Sequence, residues 1–205
     1  MREDDGMRLI GVTPEVVLPG EAACVNGLFR AGLPLLHVRK PHLSAEELER
    51  YIERAGAGFY DRMVLHDCFM LAAKWGVKGV HLNSRNPRPP EGVAAVSKSC
   101  HTLEELGAAV GFEYRFFSPV FASISKPDYR PRYSPDELFA ARDRGVIGRS
   151  VVALGGVEEH TIPLAAGYGF GGVAVLGALW GSGAGTVKES EVSERLEVLL
   201  KLCEQ

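Results

Sequence analysis

The chain has 205 residues, of which 46% are hydrophobic and 24% charged, and its formal net charge is −3. This composition excludes a disordered chain, and the slightly acidic balance provides no basic surface for nucleic acid. No apolar run approaches the roughly 20 residues that a membrane span needs, and the acidic opening MREDDGM lacks the apolar region of a signal peptide. We therefore expect a cytoplasmic protein with neither membrane nor nucleic-acid partners.

Strand-length apolar runs alternate with amphipathic stretches along the whole chain. The predicted strands are residues 8–12, 35–39, 63–66, 79–82, 94–99, 114–118, 150–154 and 172–176. The predicted helices are residues 20–31, 44–54, 68–75, 102–110, 134–144, 158–166 and 190–203. Eight strands in this alternation predict a closed (β/α)8 TIM barrel in a single domain over residues 1–205, with residues 1–6 as a flexible extension. A flavodoxin-like open sheet, the alternative, needs only about five or six strands.

Several predicted helices carry recognisable start signals. The pattern Ser44-x-x-Glu47 is a capping box, and Ser134 is followed by a proline at the first helical position. Asp67 is expected to cap the third helix. The segment NSRNPRPPEG, residues 83–92, contains three prolines and is expected to be a loop that replaces the fourth helix.

Active sites of this fold lie at the C-terminal ends of the strands, where this sequence has cations, hydroxyls, amides, glycines and one carboxylate. The residues there are His37, Arg39, Lys40, His66, Asp67, Asn83, Ser84, Asn86, Ser99, His101, Ser118, Ser123, Ser125, Lys126, Gly155, Gly156 and Gly177. Such a set suits anionic, phosphorylated ligands. Strand alternation turns His37 and Arg39 into the barrel, where Arg39 either binds an anion or pairs with Asp67.

Glycines follow the last two predicted strands. Gly155 and Gly156 end the seventh strand and Gly177 the eighth, and the loops after these strands usually form the phosphate site of the fold. We interpret the glycines as bare N–H donors to a phosphate, with turn geometry as the alternative. The long loop after strand six contains Lys126 and is either a lid over a charged ligand or a solvated surface loop.

Two further histidines lie near the predicted site. His101 directly follows the fifth strand and is either a general acid–base group or a helix-start residue packed over Glu104 or Glu105. The sequence leaves both interpretations open. His81 lies within the fourth strand and is expected to be a structural histidine.

The motifs HVRK, LHD, GVHLN, SCHTLEE, SPVFASISK, VVALGGV and VAVLGAL occur in this order along the predicted strands. In this arrangement the chain resembles the thiamine-phosphate synthase family and its sister branch, the thiazole tautomerases, over nearly its whole length. Resemblance to the synthases implies that hydroxymethylpyrimidine diphosphate is joined to thiazole phosphate with release of pyrophosphate. It also implies that Mg²⁺ on the diphosphate neutralises the charge of the leaving group.

The resemblance further implies roles for individual residues. The catalytic and diphosphate-binding roles fall to Arg39, Lys40, Lys126, Ser99 and His101. The expected metal ligands are Asp67 and Asn86. The remaining substrate contacts, including the thiazole phosphate, fall to His37, His66, Ser123, Ser125, Gly155, Gly156, Leu176 and Gly177.

Departures from the synthase pattern leave three hypotheses. Asn86 stands where the family carries a second metal carboxylate, so Mg²⁺ affinity is expected to fall in a synthase of this kind. The second hypothesis is a metal-independent thiazole tautomerase with His101 as acid–base, and the third is a non-catalytic barrel that binds thiazole or thiamine phosphate. The synthase is preferred because Arg39, Asp67 and Lys126 are retained. Homo-oligomer formation stays open.

Overall fold

The computed structural model describes residues 6–122, 131–181 and 185–205, and within them parallel strands close into one barrel in chain order. The strands are β1 (Arg8–Val12), β2 (Leu35–Val38), β3 (Met63–Leu65), β4 (Gly79–Leu82), β5 (Ala95–Cys100), β6 (Tyr114–Phe117), β7 (Val151–Ala153) and β8 (Gly172–Val175). Strand β1 pairs with β2 on one side and with β8 on the other, which closes the ring. The predicted TIM barrel is therefore confirmed, and the open sheet is excluded.

Helices lie between most of the strands. Those of the described ranges are α1 (Glu21–Arg30), α2 (Ala45–Ala55), α3 (Leu71–Trp75), α4 (Leu103–Ala108), α5 (Pro135–Asp143), α6 (Ile162–Gly167), α7 (Gly177–Trp180) and α8 (Glu189–Cys203). The predicted capping box forms between Ser44 and Glu47 at α2. Helix α5 begins at Pro135 as predicted, and Ser134 and Glu137 form a second capping box there that was not predicted. Nowhere in the described part of the chain does a helix have the length and apolar character to cross a membrane.

Some features near the strand ends differ from prediction. Helix α3 begins well beyond Asp67, so the Asp67 carboxylate does not cap it and instead accepts a hydrogen bond from the backbone N–H of Lys40 at 3.2 Å. The short α7 was not predicted and follows β8 almost directly. Residues 83–92 contain no helix, which confirms that a loop replaces the fourth helix.

The hydrophobic core has two parts, as expected for a barrel surrounded by helices. The larger cluster lies between strands and helices and includes Leu28, Ile52 and Leu196. The smaller cluster packs Ile10, Val12, Leu35, Val64, Tyr114, Phe116, Val152 and Ala174 together. His37 and His81 are also fully buried and lie against Phe116 of this smaller cluster, so the barrel interior contains polar groups.

A side-chain hydrogen bond ties the first and last parts of the barrel together. Trp180 of α7 is almost fully buried, and its Nε1–H donates to the carbonyl oxygen of Val12 at 2.8 Å. The bond fixes α7, which follows β8, over the C-terminal end of β1.

Candidate active site

A cavity of about 370 Å³ lies at the C-terminal ends of the strands. Its lining includes the predicted site residues Arg39, His66, Ser99, His101, Gly155, Gly156, Leu176 and Gly177. Asn83, Ser84 and Arg85 join them from the loop that replaces the fourth helix. Side chains and glycines that are distant in sequence therefore share one pocket.

Arg39 lies in the cavity wall beside a carboxylate that follows β1. Its Nη1–H donates to Glu15 Oε1 at 2.5 Å, and its backbone N–H donates to Thr13 Oγ1 at 2.9 Å. The Arg39 side chain is 28% exposed, so it is held in place and still reachable from the cavity. The alternative pairing of Arg39 with Asp67 is wrong, because Arg39 pairs with Glu15 and Asp67 pairs with Arg85.

Asp67 is surrounded by hydrogen-bond donors. Its Oδ1 accepts from Arg85 Nη2 at 3.1 Å and from Asn86 Nδ2 at 3.2 Å, and its Oδ2 accepts from the backbone N–H of Lys40 at 3.2 Å. The Asp67 side chain is 10% exposed, whereas that of Arg85 is 42% exposed. The carboxylate is therefore a largely covered anchor for a more exposed guanidinium.

This arrangement does not fit the predicted Mg²⁺ site. Mg²⁺ requires oxygen ligands in near-octahedral geometry, whereas a guanidinium and an amide N–H already occupy Oδ1 of Asp67. Asn86 also donates the same amide group to the carbonyl oxygen of His66 at 2.9 Å, so its nitrogen rather than its oxygen faces the carboxylate. The predicted metal pair Asp67 and Asn86 is instead an anchor for Arg85.

Lys40 lies outside the cavity lining, contrary to its predicted role at the diphosphate. Its side chain is fully buried, and Nζ lies 2.6 Å from Glu21 Oε1, which is also fully buried. The ammonium further donates to the carbonyl oxygens of Pro14 at 2.8 Å and Val16 at 3.0 Å. Burial lowers the pKa of Lys40, and the Glu21 carboxylate partly opposes that shift. The position of Lys40 therefore indicates a structural ion pair.

The floor of the cavity leads to a buried histidine pair. His37 Nδ1 lies 2.7 Å from His66 Nε2, and His37 Nε2 lies 2.7 Å from the hydroxyl of Tyr114. Burial first, and then the charge of neighbouring histidines, lowers the pKa of both His37 and His66 well below the ordinary value. Both rings are therefore neutral near pH 7.

His81 extends this polar cluster toward β5. Its Nδ1 lies 2.8 Å from Ser97 Oγ and its Nε2 lies 2.7 Å from Ser99 Oγ, while its ring stacks on that of His66 with 4.2 Å between centroids. Burial, followed by the charge of Arg39, lowers the pKa of His81 to about 3. The two serine contacts agree with the interpretation of His81 as a structural histidine, and they also fix the hydroxyl of Ser99 in the cavity wall.

His101 is oriented by the end of β6. Its Nδ1 lies 2.9 Å from the carbonyl oxygen of Ser118, which can only accept, so Nδ1 carries the proton of this bond. The backbone N–H of His101 donates to Glu105 Oε2 at 2.6 Å. The predicted contact with Glu105 therefore exists through the backbone, while the imidazole lines the cavity.

The glycines after β7 adopt conformations that favour glycine. Gly155 has φ +90° and Gly156 has φ +65°, and a Cβ atom on Gly156 would lie 2.5 Å from the carbonyl oxygen of Ala122. Turn geometry therefore accounts for this pair in part. At Gly177 an added Cβ would meet no atom within 4 Å, so that glycine faces open space at the cavity.

Some predicted site residues cannot be placed, and some residues of the site were not predicted. Ser123, Ser125 and Lys126 lie outside the described residues. Sequence reasoning missed Arg85, Glu15 and Glu21. The signal for Arg85 was its place in the loop after the fourth strand, beside Asn83 and Asn86.

Comparisons with known proteins give a consistent family. The family model described as thiamine monophosphate synthase matches residues 12–179. The thiamine-phosphate synthase of Methylobacillus flagellatus is 30% identical over 198 residues, which cover 87% of this chain and 83% of that protein. That of Lysinibacillus sphaericus is 26% identical over 195 residues, covering 87% and 89%.

Solved structures of thiamine phosphate pyrophosphorylases are also similar to this chain. The crystal structure of thiamine phosphate pyrophosphorylase from Bacteroides thetaiotaomicron is similar with a TM-score of 0.85 and 34% identity, covering 96% of this chain and 97% of that one. The thiamine phosphate pyrophosphorylase structure from Pyrococcus furiosus has a TM-score of 0.71 at 21% identity, covering 98% and 97%, and at that identity supports the fold alone. The names of these proteins favour a synthase over the isomerase and the regulatory barrel.

Proposed function

This chain belongs to the thiamine monophosphate synthase family, and we propose that it joins hydroxymethylpyrimidine diphosphate to thiazole phosphate and releases pyrophosphate. The observation that carries this proposal is a single cavity that combines the guanidinium of Arg39 with the glycines at Gly155, Gly156 and Gly177. Two anionic groups, one on each substrate, would need such a cavity with donors on more than one side.

The diphosphate is proposed to bind at Arg39. A guanidinium has five N–H donors in a planar fork that matches phosphoryl oxygens, and Arg39 uses Nη1 to donate to Glu15. The remaining donors stabilise the charge that grows on pyrophosphate as the C–O bond of the pyrimidine substrate breaks. Ser99, whose hydroxyl is held by His81, adds a neutral donor near the departing group.

The thiazole phosphate is proposed to bind at the glycines after β7 and β8. In this fold these loops commonly hold a phosphate, and Gly177, with Leu176 beside it, lines the same cavity as Gly155 and Gly156. Backbone N–H groups without a Cβ allow close approach of phosphoryl oxygens. Ser123 and Ser125, from the loop after β6, are proposed to complete this phosphate site.

The cavity floor at His66 is proposed to hold the pyrimidine, while His37, fully buried and outside the cavity lining, supports His66 from behind. Loss of pyrophosphate leaves positive charge on the pyrimidine methylene carbon. A neutral imidazole floor avoids the like-charge repulsion that a protonated histidine would impose on that carbon. His101 presents its Nε2 as the ring nitrogen available to a ligand, since Nδ1 bonds Ser118.

No step of this proposal passes through a metal ion, because the residues around Asp67 do not fit one. Lys126 is proposed as a further diphosphate contact on the loop after β6. The chemistry derived for this chain therefore rests on guanidinium, hydroxyl and backbone donors.

Incubation with both phosphorylated substrates tests the proposal. We expect thiamine phosphate and pyrophosphate to form in equal amounts, measured by chromatography and by a pyrophosphate-release assay coupled to inorganic pyrophosphatase. Arg39→Ala is expected to abolish most turnover, whereas Arg88→Ala, an exposed arginine outside the cavity lining, serves as matched control. Binding of either substrate without product would contradict the synthase and support a regulatory barrel. Isomerisation of a thiazole carboxylate phosphate alone would support the tautomerase.

A further inference from the structure

The turn that follows β4 holds Arg85 at a defined place on the cavity rim. Asn83 Oδ1 accepts the backbone N–H groups of Arg85 at 3.0 Å and Asn86 at 3.1 Å. Asn83 Nδ2 donates to the carbonyl oxygens of His66 at 3.1 Å and His81 at 3.3 Å. The turn is therefore fastened to the ends of both β3 and β4, which fixes the backbone that carries Arg85.

Asp67 fixes the side chain of Arg85 in turn. Arg85 Nη2 lies 3.1 Å from Asp67 Oδ1, and the guanidinium lines the cavity. Because Asp67 is far more covered than Arg85, the carboxylate serves as a buried anchor while the guanidinium stays accessible. Within the described residues this guanidinium donates to Asp67 through one nitrogen, Nη2, so N–H donors remain for a ligand.

Arg39 repeats this arrangement elsewhere in the same cavity wall. It too is partly exposed, and among the described residues it pairs with the carboxylate of Glu15. The two guanidinium groups together carry the same formal charge as one divalent cation. Arginine also binds phosphoryl oxygens through paired hydrogen bonds, which a bare charge does not provide.

Building on the proposed function, we infer that Arg85 supplies the positive charge that the family pattern assigns to a metal ion. With Arg39 it forms a diphosphate site that works without a divalent cation. The ligand class is an inorganic or organic diphosphate. The residues at Asp67 do not fit a Mg²⁺ site because the guanidinium of Arg85, held by this carboxylate, takes the place of the metal ion.

Inorganic pyrophosphate is the probe, and calorimetric titration of the full chain in EDTA or in excess Mg²⁺ is the measurement. We expect the wild-type chain to bind pyrophosphate in EDTA, with an affinity that Mg²⁺ does not raise. Arg85→Ala should weaken binding in EDTA by about tenfold or more, as expected for loss of a charged hydrogen-bond donor. Arg88→Ala, in the same loop but outside the cavity lining, should bind like the wild type.

Mg²⁺ provides a second arm of the test. In Arg85→Ala the Asp67 carboxylate loses its guanidinium and becomes available as an oxygen ligand, so Mg²⁺ should restore part of the lost affinity. In the double variant Arg85→Ala with Asp67→Asn, Mg²⁺ should restore none. Arg85→Gln, which retains an amide donor without the charge, guards against effects of lost packing, and thermal unfolding identifies any variant that does not fold.

Two results would overturn the inference. One is a wild-type chain that binds pyrophosphate only when Mg²⁺ is present, and the other is equal binding by the Arg85→Ala and Arg88→Ala variants. Failure of the proposed function looks different, because pyrophosphate would then bind without Mg²⁺ although no thiamine phosphate forms. Mg²⁺-dependent condensation that ignores Arg85 would leave the function standing and remove the inference.

Discussion

His37 Nδ1 and His66 Nε2 lie 2.7 Å apart in the buried floor of the cavity. A hydrogen bond at this distance requires one nitrogen to donate and the other to accept, so the two rings share a single proton at the contact. The pair stays neutral because burial lowers the pKa of both histidines. His81, stacked on His66, has its pKa lowered to about 3.

These depressed pKa values predict a loss of stability in mild acid. In the unfolded chain a histidine has a pKa near 6.5, so below that pH the unfolded state binds protons that folded His81 does not take up until about pH 3. The free energy of unfolding should therefore fall as pH drops from about 6.5 toward 3, by up to about 1.4 kcal/mol per pH unit for each such histidine. Denaturant unfolding at a series of pH values measures this slope.

Variants separate the histidines from the carboxylates that also titrate in acid. In His81→Gln the free energy of unfolding should fall less steeply between about pH 6 and 4, because one proton fewer is bound on unfolding. His160→Gln is the control, since that histidine is exposed in the folded chain and should leave the slope unchanged. An unaltered slope in His81→Gln would show that His81 takes up its proton while folded.

Replacement of Lys40 should affect folding rather than ligand binding. Lys40→Met leaves the buried Glu21 carboxylate without its ammonium partner, and breaking a buried pair in this way costs about 3–5 kcal/mol. Adding Glu21→Gln should recover much of the loss. Chemical unfolding measures the stability, and Lys201→Met, at an exposed pair with Glu197, should change it little. A stable Lys40→Met variant with weakened pyrophosphate binding would instead support the prediction that Lys40 binds the diphosphate.

Glycine substitutions should distinguish backbone strain from phosphate binding. Gly156→Ala places a Cβ against the Ala122 carbonyl at a φ of +65°, so it should destabilise the fold by about 1–3 kcal/mol. Gly145→Ala has a similar φ but no atom near its Cβ, so it should show the cost of the conformation alone, about 1 kcal/mol. Gly177→Ala meets open space and should fold normally.

Gly177→Ala should weaken the binding of thiazole phosphate. Its methyl group would enter the space at the cavity where a phosphate is proposed to lie. We expect KM for thiazole phosphate to rise about tenfold, with little change in unfolding temperature. A Gly177→Ala enzyme with wild-type KM would place the phosphate elsewhere.

Lys126→Ala should abolish most turnover and leave the fold intact. An ammonium that contacts the diphosphate in the transition state contributes to kcat, and its loss is expected to lower kcat by about a hundredfold or more. Steady-state kinetics with thermal unfolding checks both parts. Arg132→Ala, at an exposed arginine near the same loop, is the control. Unchanged kinetics in Lys126→Ala would remove the lid hypothesis.

The barrel could be predicted because its signals are local. Each strand is a short apolar run, and each interruption carries a capping residue, a glycine or a proline. Alternation along β2 also predicted that His37 faces inward, and its full burial against Phe116 agrees. The four-residue α7 was missed because so short a helix has too few residues to show a periodic pattern.

The side-chain partners could not be predicted, because pairing depends on which elements meet in space. Lys40 has Arg39 beside it in sequence, yet its ammonium meets Glu21 at the start of α1 while Arg39 meets Glu15. In the same way, the family resemblance implied a metal at Asp67, and nothing local in the sequence shows that Arg85 reaches this carboxylate. Residue type predicted the charge of the site, but not which charges neutralise one another.

The contact between Trp180 and Val12 has a consequence during synthesis on the ribosome. Val12 and Ala178 line the cavity together. Val12 is synthesised early, but Trp180, whose indole N–H donates to the Val12 carbonyl, is synthesised 168 residues later. Until then β1 lacks its β8 neighbour and exposes an edge on which nascent chains can associate. The cavity is thus a late product of translation, and premature termination before α7 should yield aggregates rather than a weakened enzyme.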